Sequence, residues 1–314
     1  MKAMAYNDFG GPELLTEQSI PDPQPKDGEV LVKLAAASIN PADWKIGEGA
    51  LRGMIDFPLP LIPGMDFSGT VIALGSGVSD FSVGDRVFGA TAINRLGTYA
   101  EEVAVPASIT AKAPRSLPLL SAAAVPLASL TAWCATVSPE YGNVERGQSV
   151  LIHGGAGGTG VFAVQFAKWR GAKVVATASG GNLEFLRSIG ADEVIDYRSS
   201  RFEDVAGTVD AVIDLVGGDV QARSMPLIRR GGRLASIVSL PDQALAETYG
   251  VRATFMSQAR DRTVLEHIAH LIDGGEVKVV ITEEFAFADA AKALARSRKG
   301  HVRAKILLRI SGDA

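Results

Sequence analysis

The chain has 314 residues, 47% of them hydrophobic and 21% charged, which excludes a disordered segment and allows two domains with cores of their own. Its formal charge of −4, with only short Lys/Arg clusters, argues against a nucleic-acid partner or an anionic membrane surface. The single cysteine, Cys134, excludes an intramolecular disulfide and a multi-thiolate metal site; with no signal-peptide pattern and no apolar run of membrane-spanning length, a cytoplasmic protein is expected.

Residues 1–118 are rich in short strand patterns broken by Gly, Pro and Asp. Strands are predicted over 2–6, 29–38, 66–74, 85–88 and 99–105, and their irregular spacing predicts a β-rich, barrel-like domain. From Leu119 the texture changes to helix formers, around 121–124 and 129–135. Next, 149–152 reads as a buried strand, five glycines within 154–160 as a tight turn, 161–169 as a helix, and 172–177 as a second strand. Strands at 193–196, 210–216, 232–238 and 251–256, with helices at 184–189, 222–228 and 263–273, extend this into a doubly wound parallel sheet of the Rossmann type. The remainder, 277–310, reads as strand, helix (287–296) and strand (304–309). It is too short to stand alone and is expected to return to the first domain. The predicted division is 1–118 plus 275–314, with 119–274 inserted as the dinucleotide-binding domain.

Gly155, Gly157 and Gly160 fall at GxGxxG spacing between strand and helix, and Gly158 and Thr159 in the same turn are cofactor-binding candidates with them. In that setting the glycines turn the chain, admit a pyrophosphate to the backbone and let helix pack on strand, while unpaired amides and the helix dipole face the phosphates. NAD-specific folds place an acid at the end of the second strand. Here that place reads Thr177 to Asn182 without one, and Ser179 and Asn182 can donate hydrogen bonds to a 2′-phosphate, so NADPH is favoured. His153, ending a buried strand, reads as structural.

Ordered along the chain are Ala36-Ala-Ser-Ile-Asn40-Pro-Ala-Asp43, Pro63-Gly-Met-Asp-Phe-Ser-Gly69, Val83-Gly-Asp-Arg-Val87, Gly97-Thr-Tyr-Ala-Glu101, Leu130-Thr-Ala132, Gly190-Ala-Asp-Glu-Val-Ile-Asp-Tyr197, the stretch 210–218 and Ala304-Lys-Ile-Leu307. With these motifs the chain resembles the medium-chain dehydrogenase/reductase superfamily, in its zinc-free quinone oxidoreductase branch, along nearly its whole length. The resemblance implies a GroES-like β-rich domain carrying an inserted Rossmann domain, NADPH as hydride donor, and a homodimer joined through the edge strands of the nucleotide sheets. Zinc enzymes of the superfamily place a cysteine where this chain has Asn40, a His-Glu pair at Met65-Asp66 and another cysteine near Leu127. Neither Met65 nor Leu127 is an ordinary zinc ligand, so no metal is expected.

Without a Lewis acid to stabilise an alkoxide, a simple alcohol is a poor substrate, whereas the conjugation of a quinone or an α,β-unsaturated carbonyl spreads the charge that arrives with hydride. Reduction of such a small molecule is the expected activity. Asn40, whose carboxamide both donates and accepts, is the first candidate for contact with nicotinamide or substrate, alongside a role in an Asn-Pro turn. The resemblance implies a nicotinamide-side contact for Thr131 and a phosphate-pocket position for Tyr197, with Arg198 either a nearby cation or a solvated loop residue. Val238, Ser239 and Leu240 open a loop at the carboxyl end of a strand, where ligands bind in such sheets. Asp43 and Lys45 read as a polar rim or a surface ion pair, Asp66 as a buried hydrogen-bonding residue, and Tyr99 as packing or a donor. No dedicated acid is visible, so the proton is expected from solvent. Two alternatives stay open: an enoyl reductase on acyl thioesters with a tunnel lined by Leu51, Met54, Ile55 and Phe57, and a non-catalytic NADPH-binding sensor or structural protein. Loops at 46–60 and 240–262 are expected to shape the pocket.

Overall fold

The structure is a computed structural model that describes residues 1–256 and 260–311; of the 240–262 loop region, 257–259 lie outside the described residues. Over the described residues the chain forms two units. One comprises Met1–Leu127, Arg260–Gly275 and Val279–Ala314, the other Ala128–Ala259 and Glu276–Lys278.

The first unit is built on the strand Glu29–Ile39, in which only Lys33 is exposed. Such a strand reads as a continuous apolar run because it is covered on both faces. It pairs along one edge with Asp66–Leu74 and along the other with Glu102–Pro106 at its start and Lys305–Arg309 at its end, all antiparallel. The sheet continues through Arg86–Ala90 to Thr110–Lys112 on one side and Ile281–Ala286 on the other. Val30, Val32, Leu34, Phe67, Val71 and Val87 fill one core. A second core gathers Tyr6, Ile39, Ile46, Tyr99, Leu294 and Ile306. The register Ile306↔Ile39 carries Lys305 to the end of the strand at which Asn40 begins the short helix Pro41–Gly47, which the sequence reading missed.

The change from strand-forming to helix-forming residues at Leu119 is not where this unit ends. The turn of helix Leu119–Ala122 packs on Glu29–Ile39 and Asp66–Leu74, and Ala123 and Ala124 share a core with Ala36 and Leu307. The helix Arg262–Asp273, expected to be the last of the nucleotide fold, instead packs on Thr110–Lys112. Its C-terminal Asp273 accepts hydrogen bonds from the Arg115 and Ser116 backbone N–H groups and the Ser116 hydroxyl.

The second unit holds an all-parallel six-stranded sheet in the order Glu193–Asp196, Lys173–Ala178, Ser149–His153, Val209–Asp214, Ile228–Ser236, Arg252–Phe255. The order reverses between Ser149–His153 and Val209–Asp214, the switch point of a Rossmann fold. The helix Gly158–Trp169 is buried along Gly160–Ala167, as a helix apolar on nearly every side must be. Gln243–Tyr249, not foreseen as a helix, is capped by the Asp242 carboxylate and closed by Gly250 in the left-handed conformation. Among the described residues no helix is long and apolar enough to cross a membrane.

Phe67 is fully buried in the first unit, so Phe67→Ala is expected to lower stability by about 3–5 kcal/mol. Leu14→Ala, at a largely exposed position, should stay within about 0.5 kcal/mol. Urea unfolding of the two variants checks the contrast.

Candidate functional site

In the second unit the candidate residues converge on the carboxyl edge of the parallel sheet. The left-handed turn is made by Gly154, one place before the first glycine of the motif. The Gly155 N–H then bonds the Thr177 carbonyl at 3.1 Å and the Gly157 N–H bonds the Gly154 carbonyl at 3.0 Å. A Cβ on Gly160 would overlap the Gly154 carbonyl oxygen, so this glycine sets how tightly the helix folds back on the turn. Gly157 begins the helix with no side-chain cap, and the nearest atom to a Cβ there lies 3.4 Å away. That leaves the N–H groups of Gly158 and Thr159 at an open helix end, a cradle that fits a pyrophosphate.

Side chains behind this edge hold the loops. His153 is buried between two hydroxyls, with Nδ1 3.2 Å from Thr177 Oγ1 and Nε2 2.9 Å from Ser224 Oγ. Because the Ser224 hydroxyl donates to the Val220 carbonyl, the network assigns the proton to Nε2 and makes Nδ1 the acceptor from Thr177. Thr177 Oγ1 in turn accepts the Gly154 N–H at 3.3 Å. Burial pulls the imidazole down to about 4, so it is neutral at physiological pH and serves the turn rather than proton transfer. Across the switch point, Asp214 Oδ1 accepts the N–H groups of Val216 and Gly217, while its Oδ2 accepts from Ser236 and Gln221. The Gln221 carboxamide also donates to the Ser239 carbonyl and hydroxyl, tying together the loops that follow two neighbouring strands. Val238 and Leu240 flank Ser239 and are exposed.

At the end of the next strand, Asn182 Nδ2 donates to Ser179 Oγ at 3.1 Å, and the Tyr197 N–H bonds the Ala178 carbonyl. Tyr197 is therefore brought beside Ser179 and Asn182, exposed, with the Arg198 guanidinium 5.8 Å from its ring centre. The third strand also delivers an acid that the sequence reading passed over. Asp196 Oδ2 sits against Gly180, close enough to crowd a Cβ there, while its Oδ1 accepts the Arg198 N–H. Thr131 is half-buried in mid-helix in Pro126–Thr136.

In the first unit Asn40 belongs to a buried polar cluster. Its Oδ1 accepts from the Lys305 ammonium at 2.7 Å, and its Nδ2 donates to Asp66 Oδ2 at 2.9 Å and to the Ser38 carbonyl. Both ends of the carboxamide are thus engaged within the protein. Asp66 further accepts from the Ser38 hydroxyl at 2.5 Å, the Leu127 N–H at 2.6 Å and Lys305 Nζ at 3.5 Å. Asp43 is not part of a surface pair. It is fully buried, with Oδ2 accepting the Asn40 N–H and the Tyr99 hydroxyl, while Lys45 lies over the Trp44 ring. Burial, helped by the charge of Asp66, pushes the Asp43 carboxyl up to about 7. Leu51, Ile55 and Phe57 pack against the first unit's core and Met54 is exposed, an arrangement that does not favour a tunnel.

The positions at which zinc relatives carry ligands do not fit that metal. Asn40 offers a carboxamide already bonded to an ammonium, the Met65 sulfur lies 3.7 Å from the Arg260 guanidinium, and Asp66 is ion-paired. Lys305 was missed because a lysine opening the pattern Lys-Ile-Leu-Leu-Arg looks like an ordinary solvent-facing strand end. Gln221 lies in none of the quoted motifs, and Asp214 stood only within the stretch 210–218, with no role assigned to it.

Comparisons with known proteins give two family models: residues 26–115 match the alcohol dehydrogenase GroES-like domain and residues 189–308 match zinc-binding dehydrogenase. A chloroplast envelope quinone oxidoreductase homolog of Arabidopsis thaliana is 34% identical, covering 98% of each chain. The NADPH-dependent alkenal/one oxidoreductase of the same plant is also 34% identical, over 98% of this chain and 79% of its own. Among solved structures, a quinone oxidoreductase from Coxiella burnetii superposes with a TM-score of 0.90 at 33% identity, covering 99% of each chain.

Gly160→Ala should force the turn open. The expected result is a loss of roughly 1–3 kcal/mol in stability and at least tenfold weaker nucleotide binding, read by urea unfolding and by NADPH fluorescence titration. Two buried groups give opposite pH slopes. Asp43 binds its proton more tightly folded than unfolded, so its contribution falls as pH rises from about 3.8 to about 7. His153 binds its proton less tightly folded, so its contribution is present above 6.5 and is lost as pH falls toward about 4. Asp43→Asn should therefore gain stability over the parent as pH rises toward 7, and His153→Gln should lose less on acidification below 6.5. Each slope is at most about 1.4 kcal/mol per pH unit, and denaturant midpoints measured across pH 4–8 check them.

Proposed function

Because the chain belongs to the medium-chain dehydrogenase/reductase superfamily, in its quinone oxidoreductase branch, we propose that it transfers hydride from NADPH to a quinone or to the activated C=C bond of an α,β-unsaturated carbonyl. The observation that carries this reading is the bare-backbone turn Gly154–Gly160 at the switch point of the sheet, with no acid at the end of the adjoining strand Lys173–Ala178. NADPH, when bound, supplies the hydride. The amides of Gly158, Thr159 and Gly160 would hold its pyrophosphate, with Gly157 kept in the turn by its bond to the Gly154 carbonyl, and Ser179, Asn182 and Tyr197 would surround the 2′-phosphate. Val238, Ser239 and Leu240 would meet the nicotinamide end, with Ser239 fixed by Gln221. Thr131 is proposed as a contact on the same side, and Asn40 as a residue that shapes the acceptor side from within the buried cluster.

The reaction is proposed to need no zinc, because the donors at the ligand positions suit hydrogen bonding and ion pairing rather than that metal. A conjugated acceptor tolerates this, since its own π-system takes up the charge that a metal would otherwise offset. A homodimer is proposed as well; its support is the edge strand Arg252–Phe255, where Phe255 is exposed.

Purified protein should oxidise NADPH with quinones and enones and leave ethanol and benzyl alcohol untouched with NADP⁺. Faster turnover of the alcohols would overturn the assignment. Ser179→Asp should lower kcat/KM for NADPH at least tenfold relative to NADH by setting a carboxylate against the 2′-phosphate, a ratio read directly from steady-state rates.

A further inference from the structure

We infer that Lys305 is a resident cation of this chain, an ammonium supplied by the last strand to the oxygen cage at which metal-dependent relatives would need an ion, and that it is the positioning residue for the Asn40 carboxamide. The cage consists of Asn40 Oδ1 at 2.7 Å, the Ile39 carbonyl at 3.4 Å and Asp66 Oδ2 at 3.5 Å from Nζ. All three oxygens face a side chain only 4% exposed, and the partner carboxylate is fully buried. Asn40 and Asp66 stand at positions where zinc relatives carry ligands, and both are bonded to this one nitrogen. At another such position the Met65 sulfur lies 3.7 Å from a second cationic side chain of the protein, the Arg260 guanidinium.

The geometry also decides which way the carboxamide points. With an ammonium on one side and a carboxylate on the other, Asn40 has Oδ1 toward Lys305 and Nδ2 toward Asp66; the flipped amide would set donor against donor and acceptor against acceptor. A buried carboxylate without its cation is costly, whereas a neutral pair of similar volume is tolerated. The charge and the orientation can therefore be removed separately.

The positioning half of this inference rests on the hydride-transfer reading, and the charge half does not. Four full-length proteins, with Asn40→Asp as a fifth used only for assignment, separate them: the parent, Asp66→Asn, Lys305→Met and the double variant Asp66→Asn/Lys305→Met. Urea unfolding should show a loss on the order of 100-fold or more in the folding constant for Lys305→Met, with most of it regained in the double variant. The Asn40 side-chain amide protons, assigned in NMR spectra by their loss in Asn40→Asp, should exchange slowly in the parent and at least tenfold faster in both Lys305 variants. With NADPH and a quinone panel, kcat should stay at least tenfold down in the double variant although its stability has returned.

A Lys305→Met chain as stable as the parent, or a double variant that fails to fold while Asp66→Asn folds, overturns the resident cation. Unchanged amide exchange, or full recovery of kcat in the double variant, overturns the positioning role. If the parent itself reduces no acceptor, the hydride-transfer reading falls, and the urea and amide-exchange measurements still decide on Lys305.

Discussion

The first unit depends on one buried ion pair, Lys305 with Asp66. By itself such a pair adds little, because desolvating two charges costs about as much as their attraction returns. Its weight lies in what it joins. Asp66 opens one strand; Ser38 near the end of another, Asn40 just beyond it, Leu127 in the first turn of Pro126–Thr136 and Lys305 at the start of the last strand all bond to its carboxylate. The antiparallel register Ile306↔Ile39 is what brings the lysine there, so the strand near the C-terminus is required both by the sheet and by the charge balance of the cluster. Asp43 lies next to it with one carboxylate oxygen hydrogen-bonded and the other without a partner among the described residues, which is why burial lifts its carboxyl so far.

The second unit works by a different rule, in which side chains hold the loops at the carboxyl edge of the sheet. His153 and Thr177 fix Gly154, Asp214 fixes Val216 and Gly217, and Gln221 fixes Ser239. Each of these side chains lies at or just behind the carboxyl ends of the strands and spends its hydrogen bonds on the protein. Around the glycine turn this leaves the backbone amides at the open helix end, a surface suited to phosphate oxygens, while the Asp196 carboxylate and the Arg198 guanidinium lie farther along the same edge, by Gly180 and Tyr197.

Much of this was legible in the sequence because it is written in local patterns. Asp66–Leu74 and Glu193–Asp196 fall where their apolar runs predict, and the glycine turn announces itself by composition. What escaped has long-range causes. Leu119–Ala122 is helical in texture yet belongs by packing to the strands before it, and Arg262–Asp273 carries an apolar face whose partner no periodicity names. Asn40 was singled out for its chemistry, but of the three groups that engage its carboxamide the two charged ones come from 26 and 265 residues away. Gly154, rather than Gly155, takes the left-handed conformation, a one-residue shift within a glycine run that spacing cannot resolve.

The arrangement of titrating groups bears on which acceptors suit such a protein. His153 is neutral and enclosed by two hydroxyls, and Asp43, although its carboxyl sits near 7, is sealed beneath Tyr99 and the Asn40 amide. Neither is placed to hand a proton to a reacting oxygen or carbon. A carbonyl that needs its proton as hydride arrives would gain little from these surroundings. A quinone or enone, by contrast, becomes a delocalised oxyanion or enolate stable enough to wait for water. The enclosed settings of His153 and Asp43 and the poor fit of Asn40, Met65 and Asp66 to zinc are both consistent with the proposed class of acceptor, one whose own conjugation takes up the incoming charge.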